Sequence, residues 1–535
     1  MTGILDREDM SMHLKEWVFA TDHKRVAILY LIGSLAAFVI AGILALLMRA
    51  ELSVAGPTLT ANPTTYNVWL YAHGTLMILA FQLPALTGFA ANYCIPLMIG
   101  ARDVAFPRLN AFSVWLFYMG IVLALLTFVV PDPPDVLWTG YPPYSTITSG
   151  NTALYSLTVL LIGFSSVIAG VNILTTIIFM RAPGVTWNKL NIFVWGTAGA
   201  FVMQLAFVPV LGASVLMLSL DKYLGAGFFD PTNGGDVLTY QNLFWFYSHP
   251  AVYVIFLPFF TIIMEIFATF ARNPVFNYRA AVYGGIWVLV AISGEVWIHH
   301  LYVSGMPDWL RLVQMVTTLW VSVPVGLLTI SLVGTLYKGS ISVEMPMLYA
   351  LGAFLLFLVG GLTGIPLAVS SLDVNLTETY YVVGHFHYVM ALTGTLAIFA
   401  GIYYWFPKMT GRMYNEAWAR VGLAINFIGA NIVFAQMMIV GVRDGLPRRY
   451  YDWAQFPQVA NEQLIMTAGS VLLALGFAIT LLNWIAGAIT GRPAGDNPWA
   501  STSLEWTTVS PPPPGNWPTP PVLGDEWTPY AYHRR

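Results

Sequence analysis

Two histidines, His385 and His387, sit two positions apart in the run Tyr380 to Tyr388, which is otherwise apolar and helical in pattern. At about 100° per residue their imidazoles point roughly 200° apart, so one helix offers a ligand to each of two neighbouring sites. Four more histidines, His73, His249, His299 and His300, also lie in apolar stretches, while His13, His23 and His533 lie in the polar ends. Ionisable side chains are costly inside a bilayer and mark function there, and imidazole is the commonest metal ligand. The set therefore predicts metal chemistry rather than hydrogen-bonded core histidines.

The elements that position these side chains follow from composition. With 57% hydrophobic and 9% charged residues among 535, and a mean hydropathy of +0.68, the chain reads as an all-α integral membrane protein. Twelve apolar segments long enough to span a bilayer fall near 26–48, 68–98, 111–130, 152–180, 191–220, 243–270, 280–304, 311–336, 346–370, 379–405, 419–441 and 463–490. Placing both termini in the cytoplasm puts seventeen of the 23 Lys and Arg residues on the inner side, as the positive-inside rule requires. The net charge of −3 gives no reason to expect nucleic acid. Cys94 is the sole cysteine, so the chain carries neither a dithiolate copper motif nor a c-type heme attachment, and electrons must come from another chain or a quinol. The N-terminal 25 residues are polar and charged, unlike a cleavable signal. The chain reads as one domain, 1–535, with a short cytoplasmic segment 1–25 and a Pro-rich tail 491–535, an extended surface segment suited to packing on a partner.

On that topology the six histidines share one depth near the outer face, at a rise of about 1.5 Å per residue. His299 and His300 with His249 would surround one ion and leave a coordination position open, which suits copper or iron. His73 with one of the central pair would make a six-coordinate heme, and the other histidine a five-coordinate heme with a free face. These residues alone leave open which is which.

The chain resembles subunit I of the heme-copper oxidases, the cytochrome c oxidase type, over essentially residues 17 to 515. The resemblance is carried by Thr21-Asp22-His23-Lys24, Arg49-Ala50-Glu51-Leu52, Trp138-Thr139 with Tyr141-Pro142-Pro143, and Phe229-Asp230-Pro231. Further on come Leu243-Phe244-Trp245-Phe246, His249-Pro250-Ala251-Val252-Tyr253, Val296-Trp297-Ile298-His299-His300, the His385-Phe386-His387 stretch and Pro447-Arg448-Arg449-Tyr450. It implies that His73 and His387 bind a low-spin heme, His385 a high-spin heme, and His249, His299 and His300 the copper facing it. It further implies that Tyr253, four residues after His249 and on the same helix face, is crosslinked to it and catalytic. Arg448 and Arg449 would meet heme propionates, with Arg49 and Trp138 at the heme periphery. Implied partners are an electron-delivering subunit II, cytochrome c or a similar donor, O2 and membrane lipid, in a bacterial or archaeal type inner membrane.

The departures from the family pattern matter as much. Ala251 stands where many members have a proton-relaying glutamate, and Tyr247-Ser248 resembles the variant that manages without it. Asp103, Asn92 and Asn110 still match the start of one proton path. Val325 and Leu328 replace the threonine and lysine of the other. Thr377-Glu378 replaces the His-Asp pair beside a magnesium ion, so that site is altered. Glu295, four residues before His299, is a candidate fourth ligand of the non-heme metal. The expected reaction is reduction of O2 to water by an oxidoreductase with two hemes and one copper. The alternative is nitric oxide reduction, with non-heme iron and Glu295 as a ligand. A secondary transporter is the remote third reading.

Overall fold

The computed structural model describes residues 14–532, so Arg7, His13, His533, Arg534 and Arg535 lie outside the described residues. In lipid a chain satisfies its backbone internally only as helices or closed barrels, and the described residues form helices with two isolated bridges and no sheet. The crossing segments are α1 (His23–Glu51), α2 (Pro63–Ile99), α3 (Pro107–Leu126), α4 (Thr152–Phe179), α5 (Ile192–Leu224), α6 (Val237–Ala271), α7 (Ala280–Ser293), α8 (Asp308–Leu336), α9 (Met345–Ala368), α10 (Tyr380–Thr410), α11 (Glu416–Asp444) and α12 (Pro457–Thr490). All except α7 are long and apolar enough to span by themselves.

The sequence predicts one continuous helix over 280–304, and the structure breaks it. After α7 the chain turns through Gly294 and Val296 into a 3-10 turn, Trp297–Leu301, which carries His299 and His300. Gly294 packs so closely on Phe207 that a Cβ there would meet its ring at 2.5 Å. The break releases the adjacent histidines from straight-helix geometry, and their ring centres come within 4.3 Å.

α2, α6 and α10 form the interior. Between 78% and 94% of the residues in their apolar stretches are buried, against 22–44% in the other long spans. These three carry His73, His249, His385 and His387. They are also irregular: prolines interrupt them at Pro84, Pro96, Pro250, Pro258 and Pro407. Wide π turns occupy Leu76–Gln82 and Pro84–Ala90 in α2 and His387–Leu392 in α10. A π turn re-aims the side chains on it, and the one in α10 begins at His387.

The tail is not the extended surface segment expected from its prolines. It folds back across the end of the bundle where α2 ends and α3 begins, burying Leu504 and Trp506 to 2% exposure or less. Asn516 donates to Ala101 O at 2.9 Å, and Arg272 donates to Trp499 O.

Close helix contact decides one stability prediction. A Cβ on Gly441 of α11 would lie 2.1 Å from the backbone nitrogen of Tyr381, at the start of α10, whereas one on Gly42 would meet nothing within 4 Å. Gly441→Ala is expected to lower the melting temperature of the purified protein, at a cost of about 1–3 kcal/mol for forced overpacking. Gly42→Ala should leave it unchanged or slightly raised.

Candidate redox and metal centre

His73 on α2 and His387 on α10 face each other with ring planes 8° from parallel and centres 6.5 Å apart. A metal–imidazole bond of about 2 Å on each side, plus the two ring radii, places opposed ring centres roughly 6 Å apart. Each ring is fixed from behind: His73 Nδ1 lies 2.9 Å from Ala41 O and His387 Nδ1 lies 2.8 Å from Val383 O. A carbonyl oxygen only accepts, so each Nδ1 carries the hydrogen and each Nε2 keeps a lone pair for a metal. His385 is held the same way, its Nδ1 donating to Gly360 O of α9 at 3.0 Å, with Thr363 Oγ1 at 3.2 Å. The two rings of α10 are thus anchored to different partners, one within α10 and one on α9.

The second centre is a triad. Ligand atoms of His249, His299 and His300 all lie within 4.8 Å of one another, and His249 Nδ1 is 3.2 Å from His300 Nε2. An ion about 2 Å from each of three nitrogens holds them roughly 3.3–3.5 Å apart. Trp245 stacks on the His300 ring at 3.6 Å, 7° from parallel, and Thr318 Oγ1 sits 3.1 Å from His299 Nδ1. His249 Nε2 is buried without a hydrogen-bond partner. Its ring centre lies 4.7 Å from that of Tyr253, one turn along α6.

Around these centres the expected periphery is present with one rearrangement. Arg49 is buried and donates to Gln463 Oε1 at 2.8 Å and to Tyr380 Oη at 3.4 Å, while its Nε has no partner. Trp138 packs on Gly74, beside His73, and edge-on to Trp245, so it bridges the two histidine sites. Arg449 is exposed and lies over the Tyr141 ring at 5.7 Å. Arg448, expected to be free for a propionate, spends its fork on Glu378: Nε donates at 2.8 Å and Nη2 bonds the other carboxylate oxygen. The residue at the altered magnesium position therefore already has a cationic partner.

Asp373, which the motif reading passes over, lies beside this pair. Burial pushes its carboxyl up to about 7; Arg448 opposes that shift and Glu378 adds to it. Its sequence signal is a carboxylate five residues before Glu378 in an apolar neighbourhood.

Glu295 is a correction. Because α7 ends at Ser293, Glu295 lies in the turn rather than one helical turn below His299, and its side chain is exposed and outside the triad. Its backbone carbonyl accepts from Gln314 at 2.8 Å.

On the polar side, Asp103 sits in the loop between α2 and α3. Burial pushes its carboxyl up to about 6. Asn92 and Asn110 are fully buried, with Asn92 Oδ1 and both side-chain polar atoms of Asn110 unpartnered. Beyond them Tyr30 Oη lies 2.9 Å from both Ser113 and Ser165, and a cavity runs past Tyr30, Thr87 and Ser165 to Tyr247. Ser248 is buried beside it in sequence. Val325 is half-buried, and Leu328 is fully buried, so close to Gly285 that a Cβ there would touch its side chain at 2.7 Å.

Opposed imidazoles, a three-imidazole cluster and a central membrane bundle define a heme-copper redox enzyme of the membrane. The chain belongs to the cytochrome c and quinol oxidase polypeptide I family, which it matches over residues 25–472. It is 40% identical over 532 residues to cytochrome c oxidase subunit 1 of Thermostichus vulcanus, covering 98% of this chain and 95% of that one. Cytochrome c oxidase subunit 1 of Synechocystis sp. is 41% identical over 508 residues, covering 95% and 91%. A solved heme-copper terminal oxidase dimer shares the fold, with a TM-score of 0.74 at 20% identity over 88% of this chain and 84% of that one. The chain is thus an oxidoreductase, the catalytic subunit of a terminal respiratory oxidase with two hemes and a copper, which removes the transporter reading.

Two outcomes follow. Glu295→Gln is expected to leave the copper and heme content of the purified complex unchanged. Arg448→Met removes a cation that holds the Asp373 carboxyl down, so its infrared carboxyl band should titrate above about 7 rather than near it.

Proposed function

We propose that His73 and His387 hold the low-spin heme, His385 the high-spin heme, and His249, His299 and His300 the copper, in a complex that reduces O2 to water. The observation that carries this is the pairing of the two geometries: parallel imidazoles at 6.5 Å beside a triad with ligand atoms within 4.8 Å. When bound, the hemes and copper supply electron transfer and oxygen reduction. The nitric oxide alternative drew on Glu295 as a metal ligand and on the apolar Val325 and Leu328; of these, the Glu295 carboxylate is not among the ligand atoms of the cluster.

The chain's own residues then have separable tasks. The carbonyls of Ala41, Val383 and Gly360 fix the tautomer of their histidines, so each ligand is aimed before any metal arrives. Tyr253, its ring 4.7 Å from that of His249, brings a phenolic proton to the triad, and the unpartnered His249 Nε2 is the nitrogen free for the crosslink. Arg49 presents its spare Nε, and Trp138 a flat apolar wall, to the low-spin side. Arg449, with Asp373 and the Arg448–Glu378 pair, makes the charged border where propionates would lie. Protons start at Asp103, whose carboxyl retains its proton up to about pH 6. They pass the unpartnered Oδ1 of Asn92 and the unpartnered amide of Asn110 and reach Tyr247 and Ser248 through the Tyr30–Ser165 cavity.

The wider setting follows from the same reading. The complex sits in the inner membrane with both termini cytoplasmic. Electrons arrive through a second subunit of the subunit II kind, from cytochrome c or a similar carrier.

Tyr253→Phe is expected to keep both heme spectra and the copper while lowering oxygen consumption by about 100-fold or more, the usual size of a lost proton donor. Full turnover in a correctly assembled variant would remove the tyrosine from the mechanism.

A further inference from the structure

α5 carries polar groups that the preceding reading does not use. Thr197 and Gln204 are both fully buried, and neither Thr197 Oγ1 nor either side-chain polar atom of Gln204 has a partner. Buried polar groups are nearly always satisfied, and where protein does not supply the partner an internal water does. Thr197, Gln204 and Leu211 are spaced by seven, so they lie along one face of α5. Leu211 lines the cavity that touches Ser165 and Tyr247.

The other end of this face meets a buried carboxylate. Glu265 of α6 accepts from the backbone nitrogen of Phe193 at 3.0 Å, from Asn191 Nδ2 at 3.2 Å and from Tyr530 Oη of the folded tail at 2.7 Å. Asn191 also donates to Ser503 Oγ at 2.8 Å, and Ser503 in turn bonds the buried carboxylate of Glu505. From the level of Phe193, Thr197 is about 6 Å and Gln204 about 16 Å along α5. At ordinary hydrogen-bond spacing the first gap is closed by about one water and the further step from Thr197 to Gln204, about 10 Å, by about three.

We propose that Glu265, Thr197 and Gln204 line a second proton route, leading from the seam between the tail and the bundle to the cavity beneath Tyr247. This rests on the proposed oxygen chemistry, which consumes protons, and on the closure of the other path by Val325 and Leu328. Each passage moves one proton and no electrons. Glu265 releases a proton to the water held by Thr197 and regains one from the seam, where Tyr530, Ser503 and Glu505 converge. The Gln204 amide orients the water without itself changing charge.

The test uses the purified complex carrying Gln204→Leu, Gln204→Asn or Thr197→Val, alone and with Asp103→Asn, with heme spectra and copper content confirming assembly. Gln204→Leu is expected to slow oxygen consumption about threefold and to raise its solvent deuterium isotope effect, since a proton step becomes limiting. With Asp103→Asn the loss should deepen to about tenfold beyond that of Asp103→Asn alone. Gln204→Asn, which keeps an amide, should restore more than half of the rate. A merely structural glutamine would change the melting temperature but not the isotope effect. Unchanged rate and isotope effect for Gln204→Leu in both backgrounds would overturn the route. A second readout separates this from failure of the oxygen reading: proton uptake from a pH dye on anaerobic reduction of the hemes. It should slow in Gln204→Leu even if the protein consumes no oxygen, and unchanged uptake kinetics would again overturn the route.

Discussion

Everything at the redox centre depends on hydrogen bonds from imidazole nitrogens to backbone carbonyls inside helices. A helical carbonyl is already engaged by the amide four residues on, but oxygen has a second lone pair. Ala41, Val383 and Gly360 use it to take the Nδ1 hydrogen of His73, His387 and His385. The bond does two things at once. It satisfies a polar nitrogen at lipid depth, where an unmade bond is expensive, and it leaves the ring's lone pair on Nε2. A ring held by a side chain could rotate with that side chain, whereas a carbonyl moves only with its helix. The spacing of these three imidazoles is therefore a property of how α1, α2, α9 and α10 pack.

That packing is secured at the far side of α10 by charge. Arg448 and Glu378 bond through both side chain and backbone, Arg448 N donating to Glu378 O at 2.8 Å, and Tyr380 N donates to Leu446 O at 2.7 Å. The loop 445–450 is thus clipped to the first residue of the helix that bears His385 and His387. Glu378 takes the left-handed conformation, φ +60°, to present its carbonyl there, a position unfavourable for a side-chain-bearing residue and repaid by the two-pronged ion pair. An arginine does here what a bound cation does elsewhere: it neutralises a carboxylate beside Asp373 without needing to be loaded.

The sequence was most legible where chemistry constrains spacing. The six apolar histidines, the order of the spans and the His249-to-Tyr253 step were all readable, because ligand type and helical period are written locally. It was least legible where position depends on a break or on tertiary contact. Glu295 looked like a neighbour of His299 only if α7 continued, and nothing in Ser293-Gly294-Glu295 compels the stop; the ring of Phe207, from α5, occupies the space. Arg448 and Glu378 are 70 positions apart, and each was read against a ligand rather than against the other. The tail's prolines suggested an extended surface segment. Its tryptophans decide instead, since burying Trp499, Trp506 and Trp517 against the bundle removes far more apolar surface from water than an extended strand could. Gln204 and Thr197 were passed over for the opposite reason: single polar residues in a long apolar helix carry no motif, and their meaning emerges only when neither finds a partner.

The closed path between α7 and α8 constrains how protons can be delivered. Leu328 fills the space against Gly285, and Val325 packs on the core one turn earlier, so neither of these two positions offers a polar group to hold water. An apolar contact of this kind stays dry, because a water needs two or more polar partners to remain in it. On the opposite side of α6, α2, α4 and α5 supply buried hydroxyls and amides, and this is the side from which the proposed routes reach Tyr247. On that side Tyr247 and Ser248 immediately precede His249 on the same helix, so the proposed routes end around α6 rather than below it. The departure at Ala251 fits the same geometry: Tyr247, one turn before the buried Ala251, lines the cavity that the proposed Asp103 route uses.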